Sequence, residues 1–445
     1  MAMSEPAGKR PSIGLMVAVV FSAWRDPAAR ILNLDLLAVL LAIMLPWSTS
    51  GVAILGAVWC VALLPTLDLR ALFRSLRQPA CYLPVALCAL AIIGTLWSDA
   101  EWGARAYALT PLGKLLVLPL LLYHFQRSTR GLWVFVAFLA SCTLLMAMSW
   151  VVAFFPGLAL RPEAAYGVPV KNYIAQSQEF GLCAVAVAYP VITLLRAGRK
   201  WPAIVLVAIA LLFVINMIFV AVSRTALVTI PVMLAVFALL HLKWRTNLAI
   251  FLAAVVLTGL AWASSPRLQQ TTETFYRDYY LYKLQDEPTS IGIRLEFLKK
   301  SLRFFAEAPV IGHGTGSTRG LFEKAASNHI GDQYGVGDKI FASAQVIGNP
   351  HNQTLNVAVQ WGIAGVIVLY AMWLYHLLLF RGEDLMAWIG LMVVVQNFCT
   401  SLFNSHLFDF HEGWMYVLGV GVAGGTVLGA RLRNPPAAPG SAVRP

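Results

Sequence analysis

Long apolar runs separated by short polar breaks dominate the chain. They recur near 31–48, 51–66, 80–97, 109–124, 131–155, 179–196, 201–222, 225–243, 248–263, 353–380, 385–402 and 413–430, most of them long enough to cross a hydrocarbon core of about 30 Å as a helix. The pattern predicts an all-α polytopic membrane protein with about twelve transmembrane helices. A further run at 12–24 is too short to span and lacks a small-residue cleavage site, so residues 1–30 are expected to form a cytoplasmic, partly interfacial N-terminus. Nine spans over 31–263 then precede a hydrophilic insert at 264–352, three more spans over 353–430, and a Pro/Ala-rich disordered tail at 431–445.

Composition agrees with this reading. Apolar residues make up 59% of the 445 and charged residues 12%, about half the charge of an ordinary soluble domain. Lysine and arginine set the orientation: eighteen fall on the side that includes the N-terminus, against four in the short loops of the other side. Both termini are therefore expected to be cytoplasmic and the large insert external. The net charge of +12 reflects topology and membrane lipids, and gives no reason to expect nucleic acid as a partner. The six cysteines fall inside proposed spans without a CxxC pair, which fits apolar packing and indicates no zinc site.

The insert carries its own elements. Ile291, Leu295, Leu298, Leu302 and Phe305 recur at helical spacing between a cap at Thr289 or Ser290 and the stop at Pro309. Lys300 and Arg303 lie opposite that stripe, while Arg294 sits at its edge and is expected to face the membrane domain. Upstream, Phe275, Tyr276, Tyr279, Tyr280 and Tyr282 suit the headgroup zone, and such rings also stack on sugars.

Several polar residues stand where chemistry is possible. Ser223 and Arg224 occupy a short turn between two apolar spans, where an arginine either snorkels to the interface or faces a wet interior cavity. "IGHGTGS" (Ile311–Ser317) matches neither the dinucleotide nor the P-loop pattern; it is a tight turn or a backbone anion cradle, and His313 shares that ambiguity. In "NPHNQTL", His351 is flanked by Asn349 and Asn352. This is either a capped helix start or a neutral imidazole placed to take a proton. The last external loop gathers His406, Asp409, His411 and Glu412 without a standard zinc spacing; Asp409 is the one retained, as a carboxylate able to orient a base or hold a sugar hydroxyl. Lys114 is an isolated intramembrane charge with no sequence neighbour to explain it.

Taken in order, these features resemble the O-antigen ligase and polymerase superfamily of bacterial inner-membrane glycosyltransferases. The resemblance covers roughly 205–380: Ser223–Arg224 at an external turn, Arg294 on a helix of a large loop, the glycine loop, then His351–Asn352 and "GIAG" (Gly362–Gly365) entering the next span. It implies a GT-C-like fold in the inner membrane, with a periplasmic active site. It also implies transfer of a glycan from undecaprenyl pyrophosphate to a sugar hydroxyl of the lipid A core. Arg224 and Arg294 would stabilise the pyrophosphate, and His351 would act as base. Ser223, His313, Asn349, Asn352 and Asp409 would contact substrate, with neither metal nor cofactor.

An O-antigen polymerase or a protein O-oligosaccharyltransferase would share that donor. Moderate length, one dominant late loop and no added soluble C-terminal domain favour a ligase. A lipid-linked glycan flippase would equally suit twelve spans, but no repeat symmetry is visible and the polar residues gather in one loop rather than at mid-membrane.

Overall fold

A computed structural model describes residues 26–161, 166–285, 289–330 and 347–433. The apolar run at 12–24, the tail from Asn434 and residues 331–346 of the insert lie outside the described residues. Among the described residues every regular element is helical. In chain order the α-helices are α1 (Pro27–Met44), α2 (Thr49–Leu63), α3 (Leu69–Leu76), α4 (Pro79–Ile93), α5 (Trp102–Leu109), α6 (Val117–Phe125), α7 (Gly131–Phe154), α8 (Tyr173–Ala186) and α9 (Ala188–Arg196). They continue as α10 (Lys200–Phe219), α11 (Arg224–His241), α12 (Trp244–Ser264), α13 (Pro266–Gln285), α14 (Ser290–Glu307), α15 (Ser317–Ile330), α16 (Gln353–Leu379), α17 (Leu385–Thr400) and α18 (Phe410–Arg433).

All twelve apolar runs are helical, but not all are simple spans. Among the described residues ten helices are long and apolar enough to cross a membrane, or eleven if α3 and α4, bent by 86°, count as one, beside the shorter apolar α17. The expectation of about twelve helices agrees with this to within one or two. The run at 109–124 belongs to a longer span, Trp102–Phe125, whose middle is a tighter 3₁₀ stretch at Thr110–Leu116. At 16 residues, α17 reaches only about 24 Å, short of a bilayer core. The spans expose side chains that water would not tolerate in such numbers: on α12 alone, Phe251, Val256 and Leu257 are exposed.

The packing centre is α18, held against α6 and α17. Its glycines make the close approach possible. A methyl group on Gly421 would come 2.6 Å from Leu121 Cβ, and one on Gly425 would come 2.6 Å from Phe125 Cβ. Small residues at helix interfaces replace the hydrophobic driving force that lipid removes.

The glycine loop is a structural wedge in α16. Gly362 has φ 61 and ψ −156, a conformation that breaks the helix. Ile363 N donates to Pro309 O at 2.8 Å, while His313 N and Gly314 N donate to Val359 O and Gln360 O, both at 2.9 Å. The insert thus supplies hydrogen bonds that the broken helix cannot make for itself. A Cβ at Gly362 would lie 2.4 Å from the Val310 carbonyl carbon and oxygen. Gly362→Ala is therefore expected to destabilise the protein by about 1–3 kcal/mol from backbone strain alone, with the clash adding to it. Gly320→Ala, where a methyl group meets nothing within 4 Å, is expected to be neutral or better. Thermal melting of the two detergent-solubilised variants checks the contrast.

On α14 the packed face is not the leucine stripe. Gly292, Phe297, Ser301 and Phe304 are the buried residues, whereas Leu298 and Leu302 are exposed. The inward face is rotated by roughly a quarter turn, and Arg294, at i−3 from Phe297, lies at its margin. Arg294 itself is exposed, at the edge of the packed face. The exposed leucines are left for a membrane surface to cover.

Candidate active site

Four segments meet at one end of the bundle: the start of α11, α14, the turn leading into α16, and the loop from Ser401 to Asp409 between α17 and α18. Arg224 is the first residue of α11, and its Nη2 lies 3.8 Å from Asp278 Oδ2 on α13. Arg294 is close enough that the Arg224 charge adds to partial burial in lowering its pKa, with Tyr173 opposing. Water reaches both arginines. Two guanidinium groups close enough for their charges to interact, with one carboxylate beside Arg224, leave a net positive site suited to a polyanion.

His351 is held from three directions. Its φ of 53 makes it the one non-glycine residue with positive φ among those described, a strained position that histidine and asparagine tolerate better than most. The Asn349 side chain fixes it, accepting the His351 backbone N–H at 3.0 Å. The ring stacks on Phe297 at 5.8 Å with an interplanar angle of 20°, which ties the imidazole to the helix that carries Arg294. Its Nδ1 lies 2.9 Å from Asn404 Oδ1, and Asn404 Nδ2 donates to Asp409 Oδ2 at 2.7 Å. Burial lowers the His351 pKa from its usual value, and Arg294 pushes the same way against the Asn404 hydrogen bond. A neutral imidazole is therefore the form present at neutral pH.

The remaining sequence candidates divide by their bonds. Asn349 and Asp409 belong to the network around His351. Asn352 caps α16, accepting from Leu355 N at 3.0 Å and donating to Leu402 O at 3.1 Å. His313 Nε2 is 2.8 Å from the Phe304 carbonyl, and no described bond or ring contact links it to Arg224, Arg294 or His351. Ser223 is 2% exposed and its hydroxyl is buried without a partner, so contact with substrate would require a shift. The N–H groups of His313, Gly314, Thr315 and Gly316 are taken by protein acceptors, which makes the glycine loop a turn and not an anion cradle.

Lys114 gains an explanation that its sequence neighbours could not supply. Its ammonium donates to the carbonyls of Phe408 at 2.9 Å and Asp409 at 2.5 Å, pinning the last loop from below. His406, Asp409 and Glu412 bring donor atoms within 4.8 Å of one another, a spacing compatible with a metal ion. However, His406 Nδ1 is already engaged by Gln178 Nε2 at 3.0 Å. Burial lowers the His406 pKa to about 3 and raises that of Asp409 to about 6, against Lys114. Lys114 supplies the positive charge that these carboxylates need.

Sequence reasoning missed Asp278, Phe297 and Asn404. Asp278 stands within the tyrosine-rich stretch, and its burial, shared on that helix only by Leu268, is visible only in three dimensions.

The fold is that of a multi-pass membrane protein, with two arginines and a histidine gathered at one end of its helices. Residues 209–370 match the O-antigen ligase family model, so this segment of the chain is similar to O-antigen ligases. That segment contains Arg224, Arg294 and His351, while Asn404 and Asp409 lie beyond it. No curated protein matches the chain.

Proposed function

We propose that the protein is an O-antigen ligase. It moves O-antigen glycan from undecaprenyl pyrophosphate to a sugar hydroxyl of the lipid A core, at the periplasmic face of the bacterial inner membrane. One observation carries the reading: two arginines and an imidazole, from segments far apart in the chain, lie close enough for their charges to interact, and the imidazole Nε2 makes no hydrogen bond among the described residues.

The chemistry follows from the charges. As the bond from the anomeric carbon to the pyrophosphate oxygen breaks, its electron pair stays with undecaprenyl pyrophosphate. Arg224 and Arg294 stabilise the charge that develops there. The acceptor hydroxyl oxygen forms the new bond from the opposite face, inverting the anomeric centre, and its proton passes to His351 Nε2. The arginines supply the electrostatic stabilisation that a divalent ion provides in other glycosyl transfers.

The deciding experiment supplies purified protein with undecaprenyl pyrophosphate glycan and lipid A core in detergent. A conjugate that requires lipid A is expected. A ladder formed without lipid A would reassign the chain as a polymerase, and carrier movement across vesicles without bond formation would make it a transporter.

A further inference from the structure

A directed chain of side-chain hydrogen bonds begins at a backbone group whose donor role is fixed. Gly316 N–H, in the glycine loop, donates to Gln360 Oε1 at 2.9 Å. This leaves Gln360 Nε2 to donate to Asn356 Oδ1 at 2.8 Å. Asn356 Nδ2 in turn donates to Ser405 Oγ at 3.1 Å, whose hydroxyl donates to Asn349 Oδ1 at 2.7 Å. The same Asn349 oxygen accepts the His351 backbone N–H at 3.0 Å, a second fixed donor, so Asn349 Nδ2 must face Asn404 Oδ1 at 3.3 Å. Each amide is therefore oriented by its predecessor, and no free choice of flip remains.

The consequence falls on the imidazole. Asn404 Oδ1 is an acceptor, so its 2.9 Å contact with His351 Nδ1 requires that nitrogen to carry the proton. Neutral His351 is then the Nδ1–H tautomer, with its lone pair on Nε2, which makes no hydrogen bond among the described residues. We infer that Asn404 is a positioning residue which, through this relay from the glycine loop, locks His351 in the one neutral tautomer able to accept a proton from an acceptor hydroxyl at Nε2. The inference rests on the base role proposed above. It gives the glycine loop a part in catalysis without substrate contact: its N–H groups begin the chain that aims the base.

Two variants test it. Asn404→Leu removes the acceptor while the Phe297 stack remains, and is expected to lower kcat about a hundredfold or more with little change in KM. Asn404→Asp keeps an acceptor for Nδ1–H but adds a negative charge beside the ring. An adjacent opposite charge raises a histidine pKa by about a unit or more. Activity in Asn404→Asp should thus recover above the Asn404→Leu level at high pH, with the acid limb of its pH–rate profile moved upward. Recovery of kcat in the acceptor-retaining Asn404→Asp relative to Asn404→Leu is the readout that a merely structural asparagine would not show.

The inference is overturned if Asn404→Leu keeps kcat within about threefold of wild type, or if a folded Asn404→Asp shows an unmoved acid limb. His351→Ala separates the two ideas. An inactive His351→Ala beside indifferent Asn404 variants removes the relay alone, whereas an active His351→Ala removes the base.

Discussion

His351→Ala is expected to abolish glycan transfer while leaving a folded protein. Loss of a general base costs about 10²–10⁴-fold, and an alcohol without its proton acceptor is a poor nucleophile, so the effect belongs in kcat rather than KM. The strained backbone at this position requires a companion variant. His351→Asn retains a residue type that tolerates φ 53 and supplies no base. Equal inactivity in the two, with unchanged melting temperatures, isolates the proton transfer from the turn. Turnover at normal rates in either variant would remove His351 from the mechanism.

The same residue is expected to set the pH dependence. A general base must be the neutral ring, and burial together with Arg294 lowers the His351 pKa from the ordinary imidazole value. Protonation is thereby postponed to lower pH than for an unperturbed histidine. Activity should be flat through neutral pH and fall on the acid side only below about 6.5. Arg294→Gln removes one of the lowering influences, so its residual activity should show an acid limb displaced upward. Rates measured from pH 5 to 8 with the donor in excess read both effects.

The spans were legible because lipid imposes a simple rule: long apolar runs must be helical. Their number was less legible. Length and mean apolarity do not reveal that α17 stops at Thr400 or that α3 meets α4 at 86°, since bends and short spans depend on what packs beside them. Arg224, Arg294 and His351 were visible because each is anomalous in its own surroundings. Asn404 is not. An asparagine in a short polar loop looks like any other, and its importance arises from residues 53 and 5 positions away that only folding brings to it. Lys114 shows the same limit, its partners lying 294 and 295 positions along the chain. On α14 the leucine stripe misled for a different reason. Beside a membrane an apolar face has two possible destinations, lipid or protein, and periodicity marks the stripe without choosing between them.

Arg224→Lys and Arg294→Lys should each lower kcat about 10²-fold or more, although both keep a positive charge. A diphosphate presents several oxygens to a planar fork, and an ammonium offers one point of charge with no fixed plane. At Arg294 a second effect operates. Burial and the neighbouring Arg224 charge already lower the guanidinium pKa, which an arginine withstands because it starts so high. A lysine under the same influences begins about two units lower and is more easily neutralised, so Arg294→Lys should be the more damaged of the two and should worsen further as pH rises. At Arg224 the ion pair to Asp278 favours the protonated lysine, and that variant should lose activity without an added alkaline loss. Side-by-side pH–rate profiles with purified donor distinguish these outcomes. Near-normal turnover in Arg224→Lys would mark that arginine as an interfacial anchor, leaving Arg294 alone to meet the leaving group.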